Sequence, residues 1–455
     1  MYLDLSTPDT NAYAKQISTE SLGDHSYIVV VGSEAVAVDI QRDLGRFESV
    51  LDGSGASLVA VLETHIHNDY VSGGKRLADL HGATYVLPAN TGALYDHTPL
   101  SDGDSIAIGE WAMRAMHTPG HTPNHTSYVL DSPEGPVAIF SGGSMLIGSV
   151  GRSDLLGPEH TETLLRSQYR SMHRIVGELP EQLLVAPTHG SGSFCSSASE
   201  VAATTSTIGL EKLRNPALAA SSAERFVTDQ IAGYKRFPAY YRHVAPLNLK
   251  PMGAPPQSEL PNVEPRDVAE GATIVDIRPF AEYAAGHIPG SLSYELSNDT
   301  AVYMGWTLEW GAPLVVVGSG PESEVVRLHL QRIGWDNVVG RIDPSSLDHL
   351  SESDIAKIAV VSFPDIGPDV EGAILDVRDR VEQLTGIIPG ADLVHFSDVA
   401  ADPGRFVFND GPVIHCASGA RAGIAASCIK RAGGRPIVVK DDLANYRGTL
   451  VAPVS

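Results

Sequence analysis

The sequence predicts an α/β protein of several domains, and three observations carry that reading. At 455 residues the chain exceeds what one hydrophobic core organises. Short β-branched runs alternate with helical patterns through the first half. The second half carries an internal repeat at a constant offset of 100 residues.

Taken in order, SYIVVVG and AVAVDI read as a hairpin of buried strands, and SLVAVLET as a strand running into a histidine cluster. Further strands are expected at ATYVLP, TSYVLD and PVAIFSGG, giving a sheet protein with covering helices. From about Glu200 to Leu249 the pattern turns helical through TIGLEKLRN and AERFVTDQIAGYKRF. These segments form an expected first domain over residues 1–253, with a helical C-terminal extension. The Pro-rich stretch around 254–265 is the expected linker.

The repeat pairs Asp276, Arg278, Glu282, Gly286, Ile288, Pro289 and Gly290 with Asp376, Arg378, Glu382, Gly386, Ile388, Pro389 and Gly390. Each block follows a strand, ATIVDIR or GAILDVR. Two copies of one small α/β domain follow, at 266–350 and 351–455, separated by the polar segment DPSSLDHLSES.

In the second copy the strand GPVIHC leads through Cys416-Ala-Ser-Gly419-Ala-Arg421 into an apolar helix. A cysteine there meets unpaired amides and the positive end of a helix dipole, which stabilise negative charge on sulfur. Gly419 lets the loop curl, and Arg421 adds a fixed cation. A cysteine opening a helix can also be merely structural. Here the loop and the upstream repeat together resemble the rhodaneses, a resemblance that implies a persulfide carried on Cys416. Cys428, within the helix, reads as core. The first copy has Gly318-Ser-Gly-Pro321-Glu-Ser323 at the corresponding place and is expected to be inactive.

The histidine cluster comprises His65-Ile-His67-Asn-Asp69-Tyr70, His117-Thr-Pro-Gly-His121 and Pro187-Thr-His189-Gly. Histidines from successive strand ends are the usual way to build a zinc or iron site. These segments, with VGRSDLLG and THGSGSFC, resemble the metallo-β-lactamase superfamily, and within it the persulfide dioxygenases and their fusions to rhodanese. The resemblance implies an αββα sandwich followed by two rhodanese-like α/β domains. It also implies iron(II) on two histidines, His65 and His121, and one aspartate. The aspartate's place is taken by Gly143, and the sixth position of the first motif is Tyr70. The expected ligands are therefore His65, His67 and His121 around one metal ion, Fe(II) favoured and Zn(II) the alternative. Asp69, His189 and Tyr70 would form a fragment of a second site, and Asp154 would order its own turn. Cys195 is either a buried residue under a Gly-rich loop or a thiol that meets persulfide.

The function implied is oxidation of a low-molecular-weight thiol persulfide to sulfite, joined to sulfur transfer at Cys416 with persulfide, thiosulfate or sulfite. Two alternatives stay open: a zinc-dependent, glyoxalase II-like thioesterase, and a silent first domain beside an active Cys416. The formal charge of −23 argues against nucleic acid and anionic membranes as partners. Three scattered cysteines, no membrane-length apolar run and no signal-like start lead to the expectation of a cytoplasmic protein. The inactive repeat offers a surface for a homo-oligomer.

Overall fold

The computed structural model describes residues 1–7, 9–190, 192–197, 204–366 and 373–453. It separates into one unit of residues 1–255 with 331–334, and a second made of the rest.

The first unit contains two sheets. One has seven strands in chain order, Tyr2–Asp4, Ala12–Thr19, Asp24–Val31, Glu34–Val38, Ser57–Leu62, Thr84–Pro88 and Thr98–Leu100. The expected hairpin is present, with Tyr27 opposite Val38. From Glu34–Val38 onward the pairing is parallel, so several chain reversals lie at one end of the sheet. The second sheet has six strands, ordered Ser206–Thr207, Leu184–Pro187, Gly135–Gly142, Thr126–Ser132, Trp111–His117 and Ser105–Ile108.

Near-continuous apolar runs, whose successive side chains point to opposite faces, make both faces of each sheet bury side chains. Val29, Val36 and Leu62 of one sheet share a core with Trp111, Tyr128 and Phe140 of the other. Val30, Ala37 and Val61 pack outward on Phe47 and Leu77 of helices Gly45–Ser54 and Gly74–His81. Val129 and Val185 pack on Leu165 and Met172 of helix Pro158–Glu178. These three cores define the αββα layering. The expected helical extension starts, among the described residues, at Ile208–Arg214, where Thr207 caps the helix, and continues through Ala223–Gly233 and Tyr241–Asn248. Glu200, where the pattern was expected to turn helical, lies outside the described residues.

The second unit holds two parallel sheets. Their orders are Leu292–Ser293, Thr273–Asp276, Leu314–Val317, Val338–Ile342, and Ala359–Val361, Ile437–Val439, Val413–His415, Ile374–Asp376, Asp392–Leu393. Read from the repeated Asp strands outward, the two orders match over four strands, and Ala359–Val361 adds a fifth to the second sheet. The repeated residues do the same work in both. Arg278 forks onto Asp276 and donates to the Gly286 carbonyl at 2.9 Å. Arg378 forks onto Asp376 and donates to the Gly386 carbonyl at 2.7 Å. A strand end is thereby locked to the Gly-x-Ile-Pro-Gly loop eight residues on. Among the described residues no helix is long and apolar enough to cross a membrane.

Candidate functional site

In the first unit the candidate site grows from the strand ends. Val38 lies beside Leu62 in parallel register, so Asp39 and Glu63 leave the sheet together. Asp39 adopts φ of 55°, a left-handed conformation that Asp tolerates better than most residues. Its carboxylate accepts the Thr64 amide at 2.7 Å and the Thr64 hydroxyl at 2.8 Å, and also the Thr188 hydroxyl. One buried anion thus ties together the loops that follow three strands.

Hydrogen-bond partners assign the histidine tautomers. Thr64 gives its hydroxyl hydrogen to Asp39, so His65 Nδ1, 2.9 Å away, must donate to Thr64 Oγ1. His121 Nδ1 donates to the Arg152 carbonyl at 2.6 Å. His189 Nδ1 donates to Asp24 Oδ1 at 2.9 Å. Each ring therefore keeps its lone pair on Nε2, and all three Nε2 atoms are buried without a partner. Burial and the neighbouring imidazoles hold His65 and His121 well below the ordinary histidine range, and burial lowers His189 as well. Ligating atoms of these three residues come within 4.8 Å of one another. Buried polar atoms without partners are rare. Three convergent imidazole lone pairs fit a metal ion.

Of the expected trio, the His65 ring touches both others, its centroid 4.1 Å from that of His67 and 4.7 Å from that of His121, but only His121 gathers a ligating nitrogen with His65. His67 turns instead to the carboxylates: its Nε2 lies 3.1 Å from Glu63 and 3.2 Å from Asp39. Burial works to lower its pKa, but those two anions overcome it and push it up to about 10. Tyr70 stacks on the His67 ring at 4.2 Å and donates to the Asp39 carbonyl, so it positions His67 and is not aimed at the histidine cluster. His67 falls in a neighbouring set with Asp69 and His189. Asp69 Oδ2 stands 3.4 Å from His189 Nδ1. Burial pushes both Asp24 and Asp69 up to about 7.

Gly143 stands where the family resemblance places a carboxylate. A Cβ built there would lie 2.3 Å from His121 Cδ2 and 2.8 Å from its Nε2, so the imidazole occupies the space of the missing side chain. The Gly143 amide donates to His125 Nε2 at 2.9 Å, and His125 Nδ1 is 3.0 Å from the Thr118 hydroxyl. His125 is a satisfied ring behind the site, although the spacing His121-x-x-x-His125 was its only signal in the sequence. Asp154 forks with Arg152 at 2.7 and 2.8 Å, ordering its own turn. Cys195 is fully buried, with Sγ 3.7 Å from the Tyr241 hydroxyl. Burial, with Asp69 and Asp24 nearby, pushes its thiol well up, so it is a neutral thiol beside the cluster.

The helical extension holds this loop. Asn248 Oδ1 accepts the Ser72 amide at 2.9 Å, and its Nδ2 donates to the carbonyls of His67 and Tyr70 at 2.9 and 2.8 Å. The Tyr240 hydroxyl donates to the Asp69 carbonyl at 3.0 Å. Asp24, Asp39, Glu63 and Asn248 were not singled out from sequence. Acidic residues ending two adjacent strands were a legible signal for Asp39 and Glu63; nothing local marked Asn248.

In the second unit, Cys416 is buried and its Sγ accepts the Gly419 amide at 3.1 Å. Gly419, at φ of 98°, opens helix Ala420–Arg431. Arg421 forks onto Glu382 at 2.5 and 2.7 Å. Burial opposes its charge, but Glu382 and the nearby Cys416 more than offset this and raise its pKa. Cys428 lies in the buried helix face, its thiol pushed up to about 12 by burial. In the first copy the corresponding loop carries Gly318 where the second carries Cys416. A Cβ on Gly318 would meet Ile277 Cγ1 at 2.7 Å, and Ser323, at the place of Arg421, is buried. A side chain at position 318 would have to displace Ile277.

Both units have relatives among known proteins. The Rhodanese-like domain family matches residues 264–343, which is the copy without the cysteine. The persulfide dioxygenase ETHE1 of Homo sapiens, described as mitochondrial, is 30% identical over 193 residues, covering 42% of this chain and 69% of that protein. A hydroxyacylglutathione hydrolase-like protein of Mus musculus is 32% identical over 159 residues, covering 34% of this chain and 53% of that protein. Among solved structures, a metallo-beta-lactamase from Staphylococcus aureus superposes with a TM-score of 0.68 at 26% identity, covering 73% of this chain and 99% of its own.

Proposed function

The chain belongs to the persulfide dioxygenase family, and from that premise we propose that it oxidises a low-molecular-weight thiol persulfide to sulfite and transfers sulfane sulfur at Cys416. The observation that carries the first half is the convergence of unpartnered, buried Nε2 atoms on His65 and His121 with a third imidazole. A metal ion held there, iron(II) by the family's chemistry, would supply open positions for oxygen and for a persulfide sulfur.

The chain's own groups set the stage for that chemistry. Arg152, Thr64 and Asp24 take the Nδ1 hydrogens and keep three imidazoles neutral with their lone pairs inward. Asp39 and Glu63 engage Nε2 of His67, whose ring packs on His65. The reaction balances as persulfide, oxygen and water going to thiol, sulfite and two protons. The outer sulfur loses four electrons, and oxygen gains them.

At Cys416 the thiolate would attack the outer sulfur of a persulfide or thiosulfate. One S–S bond breaks as the Cys416 persulfide forms, and the thiolate or sulfite leaves. The Gly419 amide stands on Sγ, and the Arg421–Glu382 fork fixes the loop's far end. We take 266–350 as an inactive and 351–455 as an active rhodanese-like domain, following the first domain and the linker at 254–265. The identical Asp–Arg–Gly locks support equivalent folds.

The test is metal content of the full chain expressed with iron and purified without oxygen, together with persulfide-dependent oxygen uptake and sulfite release. Stoichiometric metal with sulfite formed per oxygen consumed is expected. Iron-loaded protein without oxygen uptake would refute the dioxygenase half. The likeness to the mouse hydrolase-like protein supports a second reading, a thioesterase using zinc-bound hydroxide. Zinc content with turnover of an acyl-glutathione would favour it.

A further inference from the structure

We infer that His189 takes the place of the missing carboxylate, so that His65, His121 and His189 form a three-histidine centre for a single metal ion. The inference rests on the reading of the first unit as a metal enzyme and names the ligand that Gly143 cannot supply.

Geometry leads to it from both sides. At position 143 there is neither a ligand nor room for one, because the His121 ring fills the space a Cβ would need. Across the site His189 presents a lone pair with no other use. Its Nδ1 is committed to Asp24 at 2.9 Å, its Nε2 has no partner, and the side chain is wholly buried. The Asp24–His189 pair has the form of a carboxylate that fixes the tautomer of a metal-bound imidazole. His65 and His121 are fixed in the same sense by Thr64 and by the Arg152 carbonyl.

His67 is the competing third ligand, since its Nδ1 also lacks a partner. Its group, however, gathers with Asp69 and His189, whereas the atoms gathered with His65 and His121 belong to His189. His189 stands in both sets and has one free nitrogen, which can serve one ion. A dinuclear centre built on these two sets is thereby excluded. Three neutral ligands leave the whole charge of a divalent ion in place, where a carboxylate would have cancelled part of it. Such a centre favours an anionic ligand, and a deprotonated persulfide is one.

The test uses the full chain loaded with cobalt(II), read by its visible absorption and by competition with a chelator. His65→Ala, His121→Ala and His189→Ala should each weaken binding at least about 100-fold, more than loss of an outer partner does. His67→Ala and Asp69→Ala should weaken it about tenfold or less. His189→Gly should regain binding when imidazole is added, a result that separates a lost ligand from a damaged fold. Wild-type binding at one ion per chain with His189→Ala unimpaired would overturn the inference and leave the metal-enzyme reading standing. Greater losses in His67→Ala and Asp69→Ala than in His65→Ala and His121→Ala would also overturn it. No cobalt bound by the wild type would sink both.

Discussion

Replacing Asn248 with alanine tests whether the helical extension maintains the metal loop. The side chain is buried, and it gives up three hydrogen bonds, to the Ser72 amide and to the carbonyls of His67 and Tyr70. Ser72 is partly exposed, so its amide finds water in the variant. The two carbonyls belong to buried residues, and each buried group left unpaired costs about 1–3 kcal/mol. The expected loss is about 2–6 kcal/mol, which for a unit of this size lowers the melting temperature by roughly 4–24 °C. Substitution by aspartate is the sharper probe. Asn248→Asp keeps the acceptor for Ser72 but sets an anion against two carbonyls, so it should be worse than Asn248→Ala. Calorimetry of the full chain, with the first unit identified as the transition that moves when metal is added, measures both. Metal affinity should fall about tenfold, as for loss of other outer partners. Unchanged melting and unchanged affinity in Asn248→Ala would show that the loop keeps its shape without the clamp.

Other consequences can be checked directly. Arg421→Lys keeps the charge but loses the fork onto Glu382; sulfur transfer from thiosulfate to cyanide should drop about 10- to 100-fold, the equivalent of about 1.5–3 kcal/mol for charged hydrogen bonds. Gly143→Asp, which restores the family's residue, should weaken metal binding rather than strengthen it, because its Cβ displaces His121; tighter binding in the same chelator competition would show that the ring makes way. His287 donates Nδ1 to the Tyr283 carbonyl and is buried, and burial lowers its pKa to about 4. The unfolded chain takes a proton near 6.5 while the folded one resists until about 4, so stability of the second unit should fall as pH drops through that window. In His287→Gln that acid limb should be shallower in denaturant titrations; an identical limb would assign it to other groups.

Much of this protein was legible in one dimension. Continuous apolar runs such as SYIVVV and AVAV announce strands buried on both faces, because successive side chains face opposite sheet surfaces. The repeat was legible because Asp276–Arg278–Gly286 and Asp376–Arg378–Gly386 form the same hydrogen-bonded lock, closed within ten positions of the chain. The Cys416 loop was legible for the same reason: Cys416, Gly419 and Arg421 lie within six consecutive residues. The histidines could be found as a set, since each follows a strand that ends at the same edge.

What sequence could not decide is which of those histidines face one another. His67, two residues from His65, has its Nε2 taken up by Asp39 and Glu63, which come from the ends of two neighbouring strands. His189, 124 positions beyond His65, closes the cluster because Asp24 turns its ring. Whether the gap at Gly143 would stay open, be filled by His121 or recruit another ligand depends on distances of a few ångströms between separate loops. Those distances are set by packing of two sheets against each other, and such packing is decided by the whole first unit at once.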